Sequence, residues 1–186
     1  MKKRLIILFL LSILLNFQNR AQTKWGYKLG FGLANVSYPA LPNGGSAQNL
    51  FSYQIGIVNE TSIGKDIAIQ PAIIFCKKGS SAVNTTYPTH YLDVPINLIY
   101  KVNNDFQLGA GPVLSFLLIN GSANSYKKFE VGANLMAGYK LGEESSLNLS
   151  YTFSLGSANE IGTQAKNLLW SLSFVKFVDL SDLGRF

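Results

Sequence analysis

The chain has 186 residues, of which 47% are hydrophobic and only 14% charged, and it contains one cysteine. That length suits one domain, and a single cysteine excludes an intramolecular disulfide framework. The net charge of +6 suggests a polyanion partner, but Lys2, Lys3, Arg4 and Arg20 crowd into the first 21 residues and leave 12 scattered bases against 10 acids, so nucleic acid is excluded as a partner.

Residues 1–21 have the layout of a secretory signal peptide. Met1 to Arg4 form a basic start, Leu5 to Leu15 an apolar run broken by Ser12, and Asn16 to Arg20 a polar stretch that ends at Ala21. Cleavage is expected beside Ala21 or Gln22. A membrane anchor would need about 20 apolar residues, and this run spans 11 positions. No cysteine stands near the cleavage point, so a lipid-anchored precursor is not supported.

Beyond residue 21 the pattern changes to period two. A strand projects successive side chains to opposite faces, so each such segment has two faces. The first sets Trp25, Tyr27, Leu29, Phe31 and Leu33 against Gly26, Lys28, Gly30, Gly32 and Ala34. Next, Phe51, Tyr53, Ile55 and Ile57 oppose Ser52, Gln54, Gly56 and Glu60, and Ile67, Ile69, Ile73 and Phe75 oppose Ala68, Gln70, Ala72 and Lys78. Leu92, Val94, Ile96, Leu98 and Tyr100 oppose Tyr91, Asp93, Asn97 and Lys101. Phe106, Leu108, Leu114 and Phe116 oppose Gln107, Gly109, Gly111 and Ser115. Phe129, Val131, Leu135, Tyr139 and Leu141 oppose Glu130, Gly132, Asn134, Gly138 and Lys140. Leu147, Leu149, Tyr151, Phe153 and Leu155 oppose Asn148, Ser150, Thr152, Ser154 and Gly156; finally Trp170, Leu172 and Phe174 oppose Ser171 and Ser173. These are eight strands.

Short and long connections alternate. Ser62 to Asp66, Asn103 to Asp105 and Gly142 to Ser145 read as tight hairpin turns. Val36–Asn49, Gly79–Thr89, Asn120–Lys127 and Ser157–Lys166 read as long loops rich in Gly, Ser, Asn and Pro. Outer-membrane barrels have that asymmetry, with short periplasmic turns and long outward loops. A soluble barrel also alternates, but its outer face must be wet and heavily charged. Here the non-apolar faces carry mostly Gly, Ala, Ser, Asn and Gln, which suit the crowded interior of a small barrel. The pattern therefore predicts an all-β protein, an eight-stranded up-and-down antiparallel transmembrane β-barrel over residues 22–178. Residues 179–186 are a short tail or the end of the last strand. Trp25, Leu29, Ile55, Leu98, Leu108, Leu135, Leu149 and Leu172 should face lipid, and Lys28, Gln54, Asp93, Glu130 and Asn148 the lumen.

Three segments resemble a particular family. They are Ile69-Gln70-Pro71-Ala72-Ile73-Ile74-Phe75 with Lys77-Lys78-Gly79, then Tyr91-Leu92-Asp93-Val94-Pro95 with Leu98 and Tyr100, then Leu108-Gly109-Ala110-Gly111-Pro112. The last is echoed by Ala137-Gly138-Tyr139-Lys140-Leu141. In this order they resemble the PorT-like outer-membrane β-barrel family of Bacteroidetes. That resemblance implies residence in the cell outer membrane, envelope or secretion proteins as partners, and no catalytic residues. Barrels of this kind end on an aromatic that closes the last strand; Phe177 is the candidate, although the chain runs on to Phe186.

Little reactive chemistry is legible. Lipid-modifying barrel enzymes place His, Ser and an acid at the outer rim; His90 is the only histidine, and no serine stands two positions away on its face. One His and one Cys do not make a metal set, and Cys76 reads as a packing residue. Gly30-Phe31-Gly32 and Gly109-Ala110-Gly111 lie inside strands rather than before a helix, so they relieve crowding rather than cradle phosphate. No cofactor is expected. The charges on the polar faces are Lys28, Glu60, Lys78, Asp93, Lys101, Glu130 and Lys140. They are expected to form a packed polar network in the lumen, with Asp93 meeting Lys101 or Lys78 and Glu130 meeting Lys140 or Lys28. The functional expectation is a non-enzymatic barrel with a structural or protein-interaction role, against the alternatives of a narrow pore or a lipid-modifying enzyme.

Overall fold

The computed structural model describes residues 23–37, 47–82, 85–121, 126–158 and 165–178. It contains eight strands: β1 (Thr23–Ser37), β2 (Leu50–Ser62), β3 (Ile67–Ala82), β4 (Thr85–Lys101), β5 (Phe106–Asn120), β6 (Phe129–Lys140), β7 (Ser145–Ser154) and β8 (Lys166–Val178). Each pairs antiparallel with its neighbour in sequence, and β8 returns to β1 to close the barrel. Closure leaves no free edge, which is what a strand structure needs where no water can satisfy its backbone. No helix occurs among the described residues.

Period two sorts the side chains as the sequence predicts. Trp25, Leu29, Ile55, Leu98, Leu108, Leu135, Leu149 and Leu172 are all 40–54% exposed on the outer wall. Gln54, Asp93, Glu130 and Asn148 are buried within, and Lys28 is half-buried. A soluble barrel would show the reverse.

Turns of four residues join β2 to β3, β4 to β5 and β6 to β7 at one end. In the second, Asn103 Oδ1 accepts hydrogen bonds from the backbone N–H of Asp105 (2.9 Å) and Phe106 (2.8 Å), the local side-chain bond that favours Asn in turns. Gly111 marks a close strand approach: a Cβ there would collide with the Ile96 carbonyl across the β4–β5 pair.

The described residues of the Gly79–Thr89 segment, 79–82 and 85–89, are paired strand rather than loop. β3 and β4 stay paired through Gly79–Pro88 to Ala82–Thr85, so this hairpin continues past the point where glycine, serine and proline suggest a break. Gly79 makes the continuation feasible, because its φ of 113° and its contact with the Tyr87 carbonyl admit no side chain. Phe177 stands one residue before β8 ends at Val178, and its side chain is buried. The signal peptide at residues 1–21 and the tail at 179–186 lie outside the described residues.

Candidate functional site: a lumen in two halves

The half of the lumen away from the short turns, its outer half, is built around Lys78. Its side chain rises from β3 and is 3% exposed. The ammonium lies 2.8 Å from both carboxylate oxygens of Asp93 on β4, donates to Ser115 Oγ on β5 at 3.0 Å, and stands 4.8 Å from the centre of the Tyr91 ring. All its donors are thereby engaged, and the ring adds a cation–π contact. The Cys76 thiol donates to Asp93 Oδ2 at 3.3 Å. Asp93, Ser115 and Glu130 are successive partners along one row of the β4, β5 and β6 pairings. Glu130 accepts hydrogen bonds from Ser154 Oγ and Asn167 Nδ2, each at 2.6 Å. Asn167 also donates to Tyr91 Oη at 3.3 Å, which joins the two clusters. Between them remains a void of about 10 Å³.

Neutral amides fill the middle. Asn134 donates to Asn97 Oδ1 at 3.1 Å and accepts from Thr152 Oγ1 at 2.9 Å. Ala68, Ile99 and Met136 pack together inside the barrel beside them.

The half beside the short turns, the inner half, is looser. Lys101 reaches Glu60 at 3.4 Å, and Gln70 Nε2 donates to the other oxygen of Glu60 at 3.0 Å. Around this pair lies a vestibule of about 90 Å³ lined also by Lys24, Gln107, Lys140 and Phe177. Lys176 and Glu144 pair at 2.9 Å on the exposed rim.

Of the expected pairings, Asp93 takes Lys78 rather than Lys101. The reason is axial distance: Asp93 and Lys101 share a strand eight residues apart, about 26 Å at 3.3 Å per residue, beyond the reach of any side chain. Glu130 and Lys140, ten residues apart on β6, fail for the same cause. Lys28 does not meet Glu130 either; among the described residues, Glu130 has hydroxyl and amide partners and no ion pair. Lys28 and Lys140 have no ion-pair partner among the described residues.

Sequence reasoning missed two features. Asn167 stood next to an expected loop, although counting back in twos from Ser171 and Ser173 places it on the lumen face. The lumen also has an apolar sector, where Val58, Ala72, Ile74, Val175 and Phe177 cluster with Cys76 and Tyr91. The signal for that sector is a set of adjacent apolar pairs, Ile57-Val58, Ile73-Ile74 and Phe174-Val175.

His90 faces outward. Its ring stacks on Phe75 with centroids 5.6 Å apart and planes 10° from parallel, and lies 6.2 Å from Tyr53. Among the described residues, no three His, Cys, Asp or Glu side chains converge as metal ligands would.

The family described as "Outer membrane protein beta-barrel domain" matches residues 7–175. No curated protein matches the chain. The fold is similar to that of Ail, the attachment invasion locus protein of Yersinia pestis, with a TM-score of 0.56 at 12% identity over 84% of this chain and 99% of that one. It is also similar to neisserial surface protein A, with a TM-score of 0.54 at 14% identity over 84% and 99% of the two chains. At such identities the likeness is one of fold.

Proposed function

We propose, on the premise that this chain belongs to the outer membrane protein β-barrel domain family and spans the outer membrane, that it is a non-enzymatic barrel with a closed lumen. It serves as a structural or protein-interaction element of the envelope. The observation that carries this reading is the Lys78–Asp93–Ser115 cluster with its neighbours Glu130 and Asn167. These side chains are buried and bonded to one another across β3, β4, β5, β6 and β8, and the space beside Glu130 and Asn167, about 10 Å³, is about the least that holds one water. A barrel whose interior is occupied by its own side chains works through its outside, which touches lipid along the strands and proteins at its loops or periplasmic rim. The PorT-like resemblance points to secretion components among those proteins. In this reading residues 1–21 are the export signal, 22–178 the barrel, and 179–186 a tail or the end of β8.

The test has three arms. In planar bilayers the purified barrel should give no steady conductance; discrete ion currents would replace this reading with a narrow pore. Crosslinking in intact outer membranes followed by affinity capture should retain a defined envelope protein, and recovery of the barrel alone would remove the interaction role. His90→Ala should leave phospholipid and lipid A profiles unchanged, because that ring packs against Phe75 on the outer wall; a changed profile would establish an enzyme.

A further inference from the structure

Two concavities meet at Tyr100. One is a groove of about 550 Å³ on the lipid-facing wall, running across β4 to β8. Its floor is low because Ala110 and Ala137 stand where the surrounding outward positions carry larger groups: Leu98 pairs with Ala110, and Ala137 lies between Leu108 and Leu149. Trp170 and Tyr151 line its far end. The other is a basin of about 670 Å³ at the periplasmic rim, lined by the turns after β2, β4 and β6. Its lining is polar and of both signs, with Lys65 and Lys140 against Asp66, Asp105 and Glu143. None of these five has an ion-pair partner among the described residues, whereas Lys101 beside them is held by Glu60. Two backbone bonds, Lys101 N–H to the Asp66 carbonyl (2.8 Å) and Lys140 N–H to the Asp105 carbonyl (2.7 Å), tie the turns to the neighbouring strands and fix where these charges stand.

We propose that groove and basin together bind one glycerophospholipid of the inner leaflet with a zwitterionic headgroup. An acyl chain lies in the groove, the phosphate meets Lys65 and Lys140, and the ammonium meets the acids. Three considerations select this occupant. The groove opens on the apolar belt, so what fills it comes from the bilayer or from another membrane protein. A second copy seated with its two-fold axis through the groove would set one concavity against the other and leave the space empty. The basin, which shares Tyr100 with the groove, offers unpaired charges of both signs rather than lysines alone. A purely anionic headgroup would satisfy the lysines and be repelled by three carboxylates.

The test is native mass spectrometry of the full barrel titrated with phosphatidylethanolamine and, separately, phosphatidylglycerol. Wild type should retain one phosphatidylethanolamine under activation that strips other lipids. Lys65→Gln with Lys140→Gln should weaken retention about thirtyfold, at roughly fivefold for each lysine beside the lipid surface. Ala137→Leu should weaken it as well; its side chain projects into lipid and disturbs no packed interior, and heat-modifiable migration verifies that it folds. Lys77→Gln on β3, far from the basin, should change nothing. Equal retention by wild type and both groove and basin variants would reduce the site to ordinary annular lipid and overturn the proposal. Preference for phosphatidylglycerol would overturn the headgroup assignment. Disulfide-linked dimers through Ala137→Cys, made with Cys76→Ser, in intact membranes would make the groove a protein interface instead.

Discussion

Lys78–Asp93 and Lys101–Glu60 are both lysine–carboxylate pairs on the inner wall of one barrel, yet their surroundings differ. The outer pair sits at 2.8 Å with side chains only 4% and 6% exposed, and serine, cysteine and tyrosine complete its contacts. The inner pair sits at 3.4 Å, 21% and 12% exposed, beside a vestibule of about 90 Å³. Depth in the lumen thus decides what a charge does. Outside, the charges fill space and fix neighbouring strands; inside, they line a wet mouth. A buried pair is not itself a large source of stability, but removing one member leaves the other without water or partner.

The largest effect is expected where compensation is most complete. Asp93→Ala strands the Lys78 ammonium and should cost about 3–5 kcal/mol, read as a lower midpoint in urea unfolding from lipid vesicles. Glu130→Ala removes the acceptor for Ser154 and Asn167 and should cost about 1–3 kcal/mol, the range for buried donors left unmade. Glu60→Ala should cost about 1 kcal/mol or less, because vestibule water replaces what Lys101 loses. Glu144→Ala, at the exposed rim pair, should be hardest to detect, within the 0–1 kcal/mol or so that exposed pairs contribute. If Glu60→Ala proved as damaging as Asp93→Ala, the two halves would be equally dry and the distinction between them would collapse.

The barrel was legible because the bilayer imposes a strict rule on each strand: Trp25, Leu29 and Leu172 could face only outward once period two was recognised. Connections were less legible. Gly79 to Thr89 has loop composition, yet pairing with a neighbouring strand carries β3 and β4 through it, a tertiary effect that local propensity does not encode. The charged residues of the lumen could be named from the polar faces, but not matched. Which lysine meets Asp93 depends on the stagger between β3 and β4, and hydrophobic alternation is unchanged by sliding one strand two residues past another. Distance along a strand alone could have excluded Asp93 with Lys101 and Glu130 with Lys140. The apolar sector around Ile74 and Val175 was hidden for a different reason: doubly apolar pairs blur the alternation, and attention to polar faces passes over them.

The lone cysteine measures the central claim directly. Cys76 lies fully buried in the outer half, bonded to Asp93. Folded wild-type barrels treated from both sides with a small membrane-impermeant maleimide should remain unlabelled until unfolded. In a Cys76→Ser background, Lys24→Cys at the vestibule should label readily while folded. Asp93→Ala in the wild-type background should raise Cys76 labelling as the plug loosens. Cys76 labelling in the folded wild type at a rate close to that of Lys24→Cys would mean that water and small solutes traverse the lumen, and the two-halves account would be wrong.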